Sequence, residues 1–110
     1  MPADRIPLLE ALVAADPADL LGHLMLGNEY LAAGRPRDAI APLEKYCAEF
    51  EGDKGAACVS LARACEASGD VGRAREALRR GVESATAHRH RALLETLEAE
   101  LTRLSEAPTA

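Results

Sequence analysis

The residues best suited to metal or redox chemistry are Cys58 and Cys65, and their spacing permits neither. Seven residues apart in one helical stretch, they are separated by about 10.5 Å of helical rise. That lies beyond the roughly 7 Å Cα separation a disulfide spans. No C-x₂-C or H-x₃-H spacing joins them to anchor zinc. His88-x-His90 would project its two rings to opposite sides of a helix. Cys47 brings the thiols to three, and an odd number fits a reducing compartment better than a disulfide framework. Ser60, Ser68 and Ser84 have no base and orienter at a recognisable spacing, and there is no glycine-rich phosphate loop or nucleophile elbow. The expectation is no catalytic residue, no metal, no cofactor and no small-molecule substrate.

Arginine is the other concentrated chemistry. Arg73, Arg75, Arg79, Arg80, Arg89 and Arg91 cluster with His88 and His90, so residues 54–92 hold eight bases and four acids. Residues 1–53 hold ten acids and four bases, and the net charge is −5. Arg75 with Arg79, and Arg73 with Arg80, share helix faces. Such a block is either a solvated face paired with Glu76 and Glu83 or an electrostatic docking site for an acidic segment. An acidic chain with one Phe, two Tyr and no Trp is poorly equipped to bind nucleic acid, which needs phosphate neutralisation and stacking platforms.

These groups must be positioned by helices. Hydrophobic content of 48% suffices for a packed core, and it is mostly Leu and Ala with few β-branched or aromatic residues. Breakers divide the chain into six helical segments. Asp4 caps the first, which runs to Ala15. Asp16-Pro17 opens the second, ending near Gly34, and Pro36 starts the third, running to Phe50 with Pro42 inside it. Gly52-Asp53 caps the fourth, to Gly69, and Asp70 the fifth, to about Glu83. Ser84 or Thr86 opens the sixth, to Leu104. The tail, 105–110, is expected to be disordered. Short connections make successive helices antiparallel neighbours. No segment is long and apolar enough to cross a bilayer, and no signal peptide is apparent, so the expected location is cytoplasmic.

An offset of 35 residues aligns Leu26 with Leu61, Gly27 with Ala62, Ala32 with Ala67, Gly34 with Gly69, Ala39 with Ala74 and Leu43 with Leu78. The small residues suit close helix crossings, the leucines fill the space between, and the glycines make sharp turns. This pattern resembles the tetratricopeptide repeat, a helix-turn-helix unit of about 34 residues. His23 and Cys58 stand in place of its tryptophan, Leu43 and Leu78 of its phenylalanine, and Cys65 of its second tyrosine. The resemblance implies an all-α fold of antiparallel helix-turn-helix repeats stacked as a short right-handed α-solenoid of about six helices. Residues 1–104 would form one domain: a half-repeat helix (1–19), two repeats (20–53 and 54–88) and a capping helix (89–104) with its Leu93, Leu94, Leu97, Leu101 and Leu104 stripe. Ile6, Leu9, Leu12 and Val13 are expected to pack the first helix.

The family implies a protein-protein interaction module, an adaptor or scaffold holding a peptide or helix of a partner in a concave groove. Carried over by position, the groove would show Leu21, Leu24, Asn28, Leu31 and Ala32 from the first repeat. The second would add Ala56, Val59, Arg63, Glu66 and Ala67. Buried free thiols follow for Cys58 and Cys65, which fall on core positions. A second reading is a self-associating subunit, a homo-oligomer joined through Leu97, Leu101 and Leu104 or through the opposed charge blocks.

Overall fold

The structure, a computed structural model, describes residues 5–106, so the cap expected at Asp4 lies outside the described residues. Six helices form: α1 (Arg5–Ala15), α2 (Leu20–Ala32), α3 (Pro36–Glu49), α4 (Gly55–Ala67), α5 (Val71–Ala87) and α6 (Arg91–Glu106). The described residues contain no strand. Each helix packs on the next in sequence, and α4 also touches α2 on one side and α6 on the other. The helices therefore stand in two rows, α2-α4-α6 and α1-α3-α5, the arrangement of a helical-repeat solenoid.

The 35-residue pattern is a packing rule. A Cβ at Gly27 would lie 2.5 Å from Leu43 Cγ, so α2 and α3 cross as closely as a bare Cα allows. Leu43, Leu61 and Leu78 are fully buried between the rows, each contributing about 2–3 kcal/mol of burial. Ala39 and Ala74 have no exposed surface and admit the facing helix. Gly34 (φ 74°) and Gly69 (φ 87°) adopt the left-handed conformation that ends α2 and α4. The next N–H, from Arg35 or Asp70, reaches back to the carbonyl of Tyr30 (2.9 Å) or Cys65 (2.8 Å), closing the last turn.

Three boundaries differ from the sequence expectation. α2 starts at Leu20 rather than Pro17, because residues 16–18 turn first and the Pro17 carbonyl accepts from His23 Nε2 at 2.8 Å. α5 continues to Ala87, because Ser84 is buried inside it and its hydroxyl accepts the Lys54 N–H at 3.0 Å. The chain breaks instead at Arg89, whose φ of 54° repeats the turn made by the two glycines, with His90 N–H on the Ala85 carbonyl at 2.9 Å. α6 includes Ser105 and Glu106, where fraying was expected. Leu104 is buried beneath this last turn, and its carbonyl accepts from Arg75 Nη2 at 2.8 Å. Residues 107–110 lie outside the described residues. Pro42 does not interrupt α3, and its ring is buried in the core.

The two ends of the stack differ. Leu97 and Leu104 of α6 are in the core, while Glu95, Thr96, Glu98 and Thr102 are exposed, giving the stack a polar end. On α1, Ile6 and Leu9 are buried against α2 and Val13 is half-buried. Leu12 does not join them: Leu8 and Leu12 project on another face and are 62% and 54% exposed.

Candidate functional site

The helices of the row α2-α4-α6 lie side by side, and each has exposed residues. On α2, Leu21 is 60% exposed, Asn28 and Ala32 are exposed, and Leu24 and Leu31 are half-buried. On α4, Ala56, Arg63 and Ala67 are exposed. Asn28 and Arg63 occupy equivalent positions, 35 residues apart, on adjacent helices of the row, and both are exposed. Arg63 makes no ion pair or side-chain hydrogen bond among the described residues.

Two positions expected in the groove are otherwise engaged. Val59 is only 7% exposed and belongs to the core. Its equivalent Leu24 is freer because α4 has a neighbour of its own row on both sides, whereas α2 has one only toward α4. Glu66 is held by Arg103 of α6 in a two-pronged pair, Nη2 to Oε1 at 2.7 Å and Nη1 to Oε2 at 2.9 Å. This bond holds the Glu66 carboxyl below its ordinary range. Glu100 accepts from the same guanidinium (Nε, 3.0 Å), so Glu66 is tied up in a shared ion pair and Arg63 is the cation of α4 left exposed on this face. α6 touches α4 but not α2, and so extends this face instead of covering it.

The arginine block is partly structural. Arg80 Nη2 binds Glu44 of α3 at 2.9 Å and Arg73 Nη2 approaches the same carboxylate at 3.9 Å. The expected pairing with Glu76 and Glu83 is replaced by these contacts between α5 and α3. Arg75 is spent on the α6 terminus. Arg79, Arg89 and Arg91 are exposed. The three thiols are free and buried. Cys58 Sγ lies 3.7 Å from Cys47 Sγ, and this contact together with burial pushes the Cys47 thiol up; burial does the same to Cys65. The same contact lowers the Cys58 thiol, but it is fully buried between the helices, so all three act as packing groups out of reach of a substrate. Ser68 donates to the Ala64 carbonyl at 2.8 Å, so Ser68 and Ser84 are both committed to backbone. The described residues hold no group of three or more potential metal-ligating side chains.

One feature of the surface escaped the sequence reading. Leu8, Leu12, Met25 and Asn28 line a cleft of about 520 Å³ between α1 and α2, with Arg5 and Glu29 at one end. The signal was available, since Leu8 stands 35 residues before Leu43, but α1 is apolar around most of its circumference and does not show which face is covered.

No match is found among curated proteins or solved structures. A family model described as tetratricopeptide repeat matches residues 30–97, from the last turn of α2 to the middle of α6, more than half of the chain. Its members are in general protein-protein interaction modules. With paired helices, small residues at the crossings and left-handed glycine turns at the family's spacing, this chain belongs to the tetratricopeptide-repeat family.

Proposed function

We propose that the α2-α4-α6 face holds a peptide or helical segment of a partner protein, through apolar anchors on Leu21, Leu24 and Leu31 and a carboxylate of the partner on Arg63 and Asn28. The observation that carries this reading is the partly exposed leucine strip of α2 on the same row as an exposed Arg63 that makes no ion pair among the described residues. Glu66 shapes the site through its pair with Arg103, and Val59 supports it from beneath. Three free thiols suit work in a reducing compartment such as the cytoplasm.

The test is selection from a displayed peptide library, followed by mapping of the selected peptide on the amide spectrum. The expected ligands combine aliphatic residues with Asp or Glu, perturb α2 and α4, and lose binding to Leu24→Glu and to Arg63→Glu. Ligands that map to other helices, or that bind both variants undiminished, would refute it. Exposed Arg79, Arg89 and Arg91 support a second reading, an acidic segment docking beside α5; perturbations confined to those residues would favour it. Self-association through the α6 leucines is not retained, since Leu97 and Leu104 are enclosed in the core.

A further inference from the structure

A helical-repeat stack needs polar ends, because an uncovered terminal repeat leaves apolar surface in water. Among the described residues α6 supplies such a face and α1 does not. Leu8 and Leu12 line a cleft with Met25 of α2, and Leu21 lies one turn before Met25 on the same helix, all four about half exposed or more. By repeat spacing, Leu8 and Leu12 correspond to Leu43 and Cys47, which are fully buried. Leu43 is covered by the first helix of its own unit, at Gly27, and no described helix performs that service for Leu8.

We infer that this edge pairs with the same edge of a second copy of the chain. The charge pattern of α1 selects that occupant. Arg5 lies at the start of the helix, and its guanidinium, though 3.2 Å from Glu29, is largely exposed. Asp16 lies at the other end, in helical continuation, its N–H on the Leu12 carbonyl at 3.0 Å. A two-fold axis crossing α1 midway between Leu8 and Leu12 sets Leu8 of each copy against Leu12 of the other. The same axis brings Arg5 near Asp16 of the second copy, these residues lying about 4.5 and 6 Å of helical rise beyond the leucines. One stripe is thus complementary to itself in shape and sign. Leu21 and Met25 flank the contact. The acidic outer face of α6 (Glu95, Glu98) offers the apolar edge no such match.

Four such side chains supply a few hundred Å² of apolar surface, below the ~800 Å² per partner of a standard interface, so the dimer is a weak one that forms at high concentration. Sedimentation velocity from about 5 to about 500 µM tests this. The wild type is expected to pass from one chain of 11.7 kDa to two across that range. Leu8→Glu/Leu12→Glu should stay single throughout with an unchanged helical circular-dichroism spectrum. Arg5→Glu should weaken pairing about tenfold, and Arg5→Glu/Asp16→Arg should restore it. Concentration-dependent amide shifts in the wild type, confined to α1 and the first half of α2, give a readout that needs no variant. A wild type that remains single at the highest concentration, a dimer that survives Leu8→Glu/Leu12→Glu, or a charge swap that restores nothing would overturn the proposal. Leu21 belongs to both surfaces, so peptide binding is read at Arg63→Glu on α4, outside the pairing edge, and its failure is distinguishable from failure of the dimer.

Discussion

Gly27 and Leu43 provide a quantitative test of the repeat packing, because the same substitution should change sign with its background. A Cβ added at Gly27 meets Leu43 Cγ at 2.5 Å and Cδ2 at 2.7 Å, and Leu43 is fully enclosed, with no open side into which to move. Overpacking of this kind costs about 1–3 kcal/mol. Replacing Gly by Ala inside a helix returns about 1 kcal/mol of intrinsic propensity. Gly27→Ala should therefore lie between neutral and about 2 kcal/mol destabilising. Leu43→Ala alone should cost about 2–5 kcal/mol, as buried leucine truncations do. In that background the obstructing atoms are gone, so adding Gly27→Ala should stabilise by about 1 kcal/mol. Urea unfolding followed by circular dichroism, run on all four proteins, gives the coupling directly. Equal effects of Gly27→Ala in both backgrounds would refute the claim that this glycine exists to admit Leu43.

Arg89→Gly should raise the melting temperature, since a left-handed arginine costs about 1–2 kcal/mol that glycine does not incur; a lower midpoint would contradict the turn geometry. Acid should destabilise the fold in a defined window. Burial opposes the charge of Asp53, but hydrogen bonds from His90 Nδ1 (2.8 Å) and the Gly55 N–H (3.1 Å) outweigh it and lower its carboxyl below 3.8; Arg103 lowers Glu66 below 4.5. Depressed folded-state values mean stability present above the ordinary carboxylate range and lost as pH falls through the lowered values, so the acid limb should be shallower in Glu66→Gln than in the wild type. At the alkaline end, burial and its hydrogen bond to Glu10 push Tyr30 up to about 12 from 10.0. Phenolate absorbance should appear late, stability should decline as pH rises between those values, and Glu10→Gln should bring the titration down.

The repeating features of this fold were legible because they are local. Gly34 and Gly69 had to be turns, and small residues 35 apart opposite leucines had to be crossings. Features that depend on a residue's place in the stack were not. Leu24 and Val59 are equivalent in sequence, yet one is half-buried and the other enclosed, because only α4 lies between two helices of its row. Arg73 and Arg80 have acidic neighbours in their own helix, but both reach Glu44 across to α3, a partner no spacing rule identifies. Arg89 hides a turn in a residue type that seldom makes one. At the site, Asn28 and Arg63 were readable by position, whereas neutralisation of Glu66 by Arg103 required the register of α6 against α4.

The burial of Cys47, Cys58 and Cys65 has a kinetic consequence. All three sit on the central pair α3–α4, so an alkylating reagent can reach them only when that pair opens. Their modification rate is a built-in clock for breathing of the middle of the array, one that requires no label. If the ends fray independently, the thiols should stay silent while terminal amides exchange. If the array opens as a unit, thiol and amide clocks should run together, and their ratio measures how far cooperativity extends from one helix pair to the next.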